Sequence, residues 1–286
     1  DNGFIMPKII KTLKEMREES IALREDGGVI VFVPTMGFLH DGHRALLKVG
    51  RRLGSTLVMS IFVNPTQFGP KEDLGSYPRD LERDLLMADE EGVDIVFTPS
   101  AFEMYPEGFS THVEVSGLSD ILCGASRPGH FRGVATVVLK LFNIVMPHRA
   151  LFGRKDFQQL RVIERMVKDL DLQVEIAGIE TIREKDGLAM SSRNSYLGIE
   201  ERAAALCVPR AMEEARRIVA DGEAQSSVVT EKVKKIIENE PLAVVDYVKV
   251  CRADNLRDAP AIDECSMLFL AVKIGKARLI DNTRLR

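Results

Sequence analysis

The chain has 286 residues, 45% of them hydrophobic, which is enough apolar material for two buried cores. Its net charge of −4, with 29% of residues charged, lacks the basic footprint of a nucleic-acid-binding protein, so positive charge at any site must be local. Cys123, Cys207, Cys251 and Cys265 lie far apart with no histidines at ligand spacing, which argues against structural zinc and for a reduced, cytoplasmic chain.

In chain order, residues 1–5 ahead of Met6 are assigned no role, and charges arrive too early for a secretory leader. From residue 28 short apolar runs alternate with helical periodicity. Residues 29–33 read as a first strand, followed by a loop and a helix with Leu46, Leu47 and Leu53 on one face. Residues 56–63 form an apolar run without alternation, as expected of a strand covered on both faces. A helix over 79–91 is predicted to turn Leu81, Leu85 and Leu86 inward, ahead of a strand at 94–97. Val134, Val137, Val138, Leu141, Phe142 and Val145 follow helical spacing. A strand at 150–152, an amphipathic helix at 157–170 and a strand at 174–179 complete a doubly wound, Rossmann-like parallel-sheet α/β domain, expected to span 1–181. The longest apolar runs, 56–63 and 134–146, stop short of the ~18 residues a membrane span needs. Beyond about 182 come helices at 200–221 and 226–238, then strands near 244–251, 267–274 and 277–281. These make a smaller α+β C-terminal domain, 182–286, with antiparallel strands. The polar linker 180–194 contains Gly187, so two domains could move about it.

Five segments carry chemistry. Residues 34–43, PTMGFLHDGH, run from the first strand into a helix, where backbone N–H groups and the helix dipole favour an anion. Gly37 and Gly42 allow close approach, His40 and His43 add donors to one phosphate, and Asp41 caps the helix. An isolated H-x-x-H is more often a pair of surface histidines, but the glycines and the strand-loop-helix context favour the phosphate site. At 62–69, FVNPTQFG, Asn64 and Gln67 are neutral groups suited to hydroxyls and a carboxylate, or to plain turn chemistry. The basic loop at 127–133, RPGHFRG, reads either as a phosphate-contacting lid or as a solvated loop. At 152–159, FGRKDFQQ, Lys155 offers a point charge to a phosphate, Asp156 an N-cap or a ribose contact, and Gln159 faces the cleft one turn on. At 183–194, REKDGLAMSSRN, Ser191, Ser192 and Arg193 could clamp phosphates, unless the stretch is only a solvated linker.

With these residues laid out, the chain resembles the pantothenate synthetase (pantoate–β-alanine ligase) family across nearly its whole length. The family's P-T-M-G and H-x-G-H, F-V-N-P-x-Q-F, R-P-G-H-F-R-G-V, F-G-x-K-D-x-Q-Q and D-G-L-A-M-S-S-R-N all stand here. The first and last are similar to the paired H-I-G-H and K-M-S-K-S signatures of the nucleotidyltransferase superfamily. The resemblance implies condensation of (R)-pantoate with β-alanine through a pantoyl adenylate, releasing AMP and pyrophosphate, with Mg²⁺ accompanying ATP and no metal site built from protein groups alone. It implies an ATP site lined by Met36, Gly37, Phe38, Leu39, His40, Asp41, Gly42 and His43, by Gly153, Arg154, Lys155 and Asp156, and by Met190, Ser191, Ser192 and Arg193, with Ile182 meeting the adenine. It implies that His43, His40 and Lys155 act in catalysis, His43 as proton donor. Gln67 and Gln159 then hold pantoate, Gln67 also borders β-alanine, and Asn64 joins the substrate pocket. A homodimer is implied too. Departures from the family pattern are His148, where Asp is frequent, and Ile182, where Val is frequent, the latter able to reshape the adenine pocket slightly. The competing readings are a nucleotidyltransferase that stops after transfer to a phosphate acceptor, and a non-catalytic nucleotide-binding module.

Overall fold

The run Ile30-Val31-Phe32-Val33 has no polar position to give to solvent, and it lies within a six-stranded parallel sheet. A computed structural model describes residues 6–70 and 72–286. Strands β1 (Lys8–Ile10), β2 (Ile30–Thr35), β3 (Thr56–Ile61), β4 (Ile95–Phe97), β5 (Arg149–Gly153) and β6 (Glu175–Ile179) pair in the order β1-β4-β3-β2-β5-β6. Alternate side chains of β2 serve two cores. Ile30 and Phe32 meet Met16 of α1 (Leu13–Glu25) and the apolar faces of two later helices. Val31 and Val33 meet Leu47 of α2 (Asp41–Leu53) and Met87 of α3 (Leu81–Glu90). Short helices α4 (Ala101–Met104) and α5 (Cys123–Ser126) then lead to α6 (His130–Val145) and α7 (Phe157–Asp169), which complete the first layer. Strand order reverses between β2 and β5, so a crevice opens beyond their carboxyl ends, the place where open α/β sheets bind ligands.

The remainder is α8 (Ile199–Ala204), α9 (Cys207–Ala220), α10 (Ser226–Glu238) and an antiparallel sheet of β7 (Ala243–Arg252), β8 (Ser266–Ile274) and β9 (Ala277–Arg284). Strand β8 is covered on both faces. Leu268, Leu270, Val272 and Ile274 pack against α9 and α10, while Met267 and Phe269 pack against Leu122 and Phe157 of the larger layer. The Phe157 and Phe269 rings lie 5.7 Å apart.

Several expectations need correction. Strand β1 and helix α1 precede residue 28, where the reading began: only Ile10 of β1 is buried, and α1 buries only Met16 and Ser20, too little for a periodic signal. In α3 the inward residues are Asp84, Met87 and Ala88, while Leu81 and Leu86 are 45% and 59% exposed. The helix foreseen at 200–221 is two, broken at Ala205 and Leu206. Pro209 then occupies the first turn of α9, where an N–H has no intrahelical partner to lose. Among the described residues no helix is long and apolar enough to cross a membrane, and all four cysteines are free.

Candidate active site

A cavity of about 230 Å³ lies over the reversal point, walled by residues following β2, β3, β5 and β6. Met36, Gly42, His40 and His43 form one wall, and Gly153, Lys155, Asp156 and Gln159 another. Ile182, Met190, Ser191, Ser192 and Arg193 close a third side, and Asn64 and Gln67 a fourth. Val134, Val137, Val138 and Leu141 of α6 supply an apolar floor.

The histidine wall is held by an unusual cap. His40, not Asp41, is the N-cap of α2. Its Nδ1 accepts from the Gly42 N–H at 3.1 Å, while His43 Nδ1 accepts from the His40 N–H at 3.2 Å. Asp41 faces outward and pairs with Arg44 at 3.6 Å. An Nδ1 that accepts has no proton, so each neutral ring carries its proton on Nε2. Burial, and then the charge of Lys155, pushes His40 down to about 4. Burial, then His40 and Lys155, holds His43 well below the ordinary histidine range. At neutral pH the pair is therefore two neutral N–H donors.

The loop before the cap does not offer free N–H groups to a phosphate as expected. Gly37 N–H donates to Thr35 Oγ1 at 3.1 Å, and those of Phe38 and Leu39 donate to the Asp84 carboxylate at 2.8 and 2.7 Å. Gly37 and Phe38 take left-handed φ values of 81° and 51°, a turn that the buried Asp84 carboxylate satisfies from α3. Gly37, Phe38 and Leu39 thus shape the wall from behind it. The imidazoles remain as phosphate-directed donors on this side, backed by the dipole of α2.

The second segment has a fixed polarity. Thr66 N–H donates to Asn64 Oδ1 at 3.4 Å, and Tyr105 Oη donates to the same oxygen at 2.7 Å. Asn64 Nδ2 is then the donor, to the Gly133 carbonyl at 3.2 Å and to Gln67 Oε1 at 3.0 Å. With its oxygen taken, Gln67 turns its amide nitrogen the other way, 3.4 Å from Met36 Sδ. The loop read as either a lid or a solvated loop forms a clamp on this turn. Arg127 is bidentate to Glu72 at 2.6 and 2.7 Å and donates to His130 at 3.0 Å, while His130 Nδ1 donates to the Gln67 carbonyl at 2.8 Å. A Cβ on Gly133 would run into the Thr66 carbonyl, so the close packing of α6 on this turn requires glycine.

Of the adjacent glutamines, Gln158 is buried and bonded to Cys123 N–H and the Leu118 and Ile121 carbonyls, leaving Gln159 to line the cavity. Arg154 points elsewhere: it donates to the Gly178 carbonyl at 3.2 Å and pairs with Glu180 at 3.2 Å, because its side chain runs along β6. Arg193 is bidentate to Asp73 at 3.1 and 3.0 Å, and Ser192 Oγ donates to the Phe38 carbonyl at 3.2 Å, tying the late segment to the early one. His148 accepts from Ile30 N–H at 3.0 Å, where β2 begins, at the opposite end of the sheet from the cavity.

A profile of the family described as pantoate-β-alanine ligase matches residues 8–284. The chain belongs to that family. The pantothenate synthetases of Syntrophotalea carbinolica and Geobacter sulfurreducens are 55% and 54% identical to it, over segments covering 96% of this chain and 97% of each relative. The crystal structure of pantothenate synthetase from Thermus thermophilus is 44% identical, with a TM-score of 0.92 and coverage of 97% of this chain and 99% of that one. Pantoate-β-alanine ligase from Francisella tularensis, solved with β,γ-ATP and β-alanine, is 33% identical, with a TM-score of 0.79 and 98% coverage of both chains.

As a pantoate-β-alanine ligase, this chain is an enzyme that uses ATP to join two small molecules, and its cavity is braced by residues the sequence did not point out. Asp84, Tyr105, Glu72 and Asp73 were missed because each acts through another residue. Glu72, Asp73 and Tyr105 stand at neither a strand end nor a helix start, the positions that guided the search, and Asp84, in the first turn of α3, is spent on the Phe38 and Leu39 N–H groups rather than on the cavity. Tyr77, buried against Arg193, sits in an irregular loop with no periodic signal.

Proposed function

We propose that the condensation proceeds through a pantoyl adenylate, with the residue roles that follow. The observation that carries this reading is the cavity's pairing of two kinds of chemistry: Lys155, Arg193 and two imidazoles beside neutral amides and an apolar floor. The phosphate-seeking groups fit a nucleotide. Gln67 and Gln159 fit the hydroxyls and carboxylate of pantoate, and Val134, Val137, Val138 and Leu141 fit its paired methyl groups.

A pantoate carboxylate oxygen attacks the α-phosphorus, forming an O–P bond as the bond to pyrophosphate breaks. Lys155 and the Nε2–H groups of His40 and His43 stabilise negative charge as it shifts onto the phosphoryl and leaving-group oxygens. The gain is large because the rings are preorganised by the cap and need no reorientation. The free amine of β-alanine then attacks the acyl carbon, AMP leaves, and the amine gives up a proton. No enzyme nucleophile is required, and neutral glutamines next to the activated acyl group avoid capturing it.

Among the described residues there is no cluster of three acidic, histidine or cysteine side chains able to hold a metal by itself. Asp156 in the cavity fits a Mg²⁺ carried in by the nucleotide, held mainly by phosphates with one carboxylate. When bound, that ion neutralises phosphate charge. The same proposal includes a division near residue 181 into a nucleotide- and pantoate-binding unit and a smaller C-terminal unit, supported by separate cores on either side. It also includes pairing into a homodimer and action in the cytoplasm.

The test is exchange of labelled pyrophosphate into ATP with pantoate present and β-alanine absent. Exchange is expected, followed by AMP release once β-alanine is added. Product formation without such exchange would rule out a freely reversible adenylate step. A transferase that stops after nucleotidyl transfer would release pyrophosphate but form no amide.

A further inference from the structure

Lys155 stands in the 3₁₀ turn Arg154–Asp156, between the end of β5 and the start of α7. Such a turn has few bonds of its own, and its N-terminal residue, Gly153, provides no side-chain cap. The turn is held from outside. Asn282 of β9 is buried, and its Nδ2 donates to the carbonyls of both Arg154 and Lys155, at 3.0 and 2.8 Å. A primary amide suits this task because two N–H bonds on one nitrogen meet two adjacent oxygens.

Asn282 is itself fixed. It pairs opposite Phe269 of β8, the strand whose ring packs on Phe157 at the start of α7. Its N–H donates to Asp281 Oδ1 at 2.8 Å. The fully buried Asp281 carboxylate also receives Arg183 bidentately, at 2.7 and 3.0 Å. Arg183 in turn donates to the Gly187 carbonyl at 3.0 Å, bracing the segment that leads to Met190 and Arg193. Two adjacent residues of the last strand thus hold two walls of the cavity.

We propose that Asn282 is a positioning residue for Lys155, setting the backbone turn that aims its ammonium at the nucleotide, although Asn282 does not line the cavity itself. This rests on the assignment of Lys155 to phosphate stabilisation given above. A misplaced ammonium loses transition-state stabilisation while the turn still folds, so the effect falls on the rate of adenylate formation rather than on pantoate binding.

The test is a double-mutant cycle read by pantoate-dependent pyrophosphate–ATP exchange at saturating substrates: the unmodified enzyme, Asn282→Ala, Lys155→Ala and the pair. Asn282→Ala should lower exchange roughly 10-fold, the consequence of losing two neutral hydrogen bonds, with the pantoate KM changed less than about 2-fold. In the Lys155→Ala background the same change should lower exchange less than about 2-fold, because the group it positions is gone. Equal losses in both backgrounds, or no loss in either, would overturn the proposal. If Lys155→Ala alone leaves exchange intact, the role of Lys155 fails instead, and the two failures are told apart. Should Asn282→Ala not fold, Asn282→Ser keeps one donor and passes through the same cycle, with an expected loss of about 3-fold in the Lys155 background and none without it.

Discussion

His130 offers a direct measure of how firmly the Gln67 turn is clamped. Its Nδ1–H donates to the Gln67 carbonyl and its Nε2 accepts from Arg127, so protonation would set a second positive N–H against the guanidinium. Burial, then the Arg127 charge, pushes this ring down to about 4. Its pKa is thus depressed below that of the unfolded chain, so the stability it contributes is present above about pH 6.5 and is lost as pH falls toward 4. Between pH 7 and pH 5 the unfolded chain takes up about three quarters of a proton at this site and the folded chain almost none, costing about 2 kcal/mol. His130→Asn can keep the donor to the Gln67 carbonyl but does not titrate. Chemical unfolding at pH 7 and pH 5 should therefore show the unmodified protein losing about 2 kcal/mol more than the variant over that interval. His40, pushed down to about 4 as well, is present in both proteins and cancels in the comparison. Equal losses in the two proteins would show that the imidazole titrates normally and that the clamp is not closed around it.

His43→Ala should lower turnover by ~100- to 1000-fold, the usual cost of a preorganised donor, with near-normal circular dichroism. Gln159→Ala should raise the pantoate KM with a smaller effect on the ATP KM, in steady-state assays varying each substrate in turn. Arg154→Ala should leave turnover within about 2-fold of normal, because the guanidinium serves the Gly178 carbonyl and Glu180 outside the cavity; a loss approaching that of Lys155→Ala would contradict its placement. Asp84→Asn should lower both turnover and melting temperature, since a neutral amide cannot accept at both oxygens from Phe38 and Leu39.

Much of the architecture was legible because burial and period agree. The non-alternating runs of β2 and β3 are covered on both faces, and the helical spacing from Val134 to Val145 is the inward face of α6. Motif position was informative for the same reason: strand ends and helix starts are where this fold gathers ligands, and four of the five segments lie there. What stayed hidden was second-hand geometry. Asp41 looked like the cap by residue type, yet His40 caps, because the imidazole Nδ1 can reach Gly42 N–H and leave Asp41 to Arg44. Leu81 and Leu86 looked like core by hydropathy, yet α3 turns a carboxylate inward to satisfy a left-handed turn 46 residues earlier in the chain. Asn282 lies 127 residues from the lysine whose carbonyl it holds, and no local pattern encodes that distance.

The two-faced burial of β8 bears on how this enzyme can be divided. Met267 and Phe269 roof Leu122 and Phe157, while their neighbours on the strand close the other core. A fragment ending near residue 181 would therefore carry an intact parallel sheet with an uncovered apolar patch and an untethered Lys155 turn. Such a piece is a poor candidate for independent expression, and a gene split at that point would have to bring its halves back together before either could work. The small sheet is part of the parallel-sheet half's own foundation, which gives the chain a reason to remain one polypeptide.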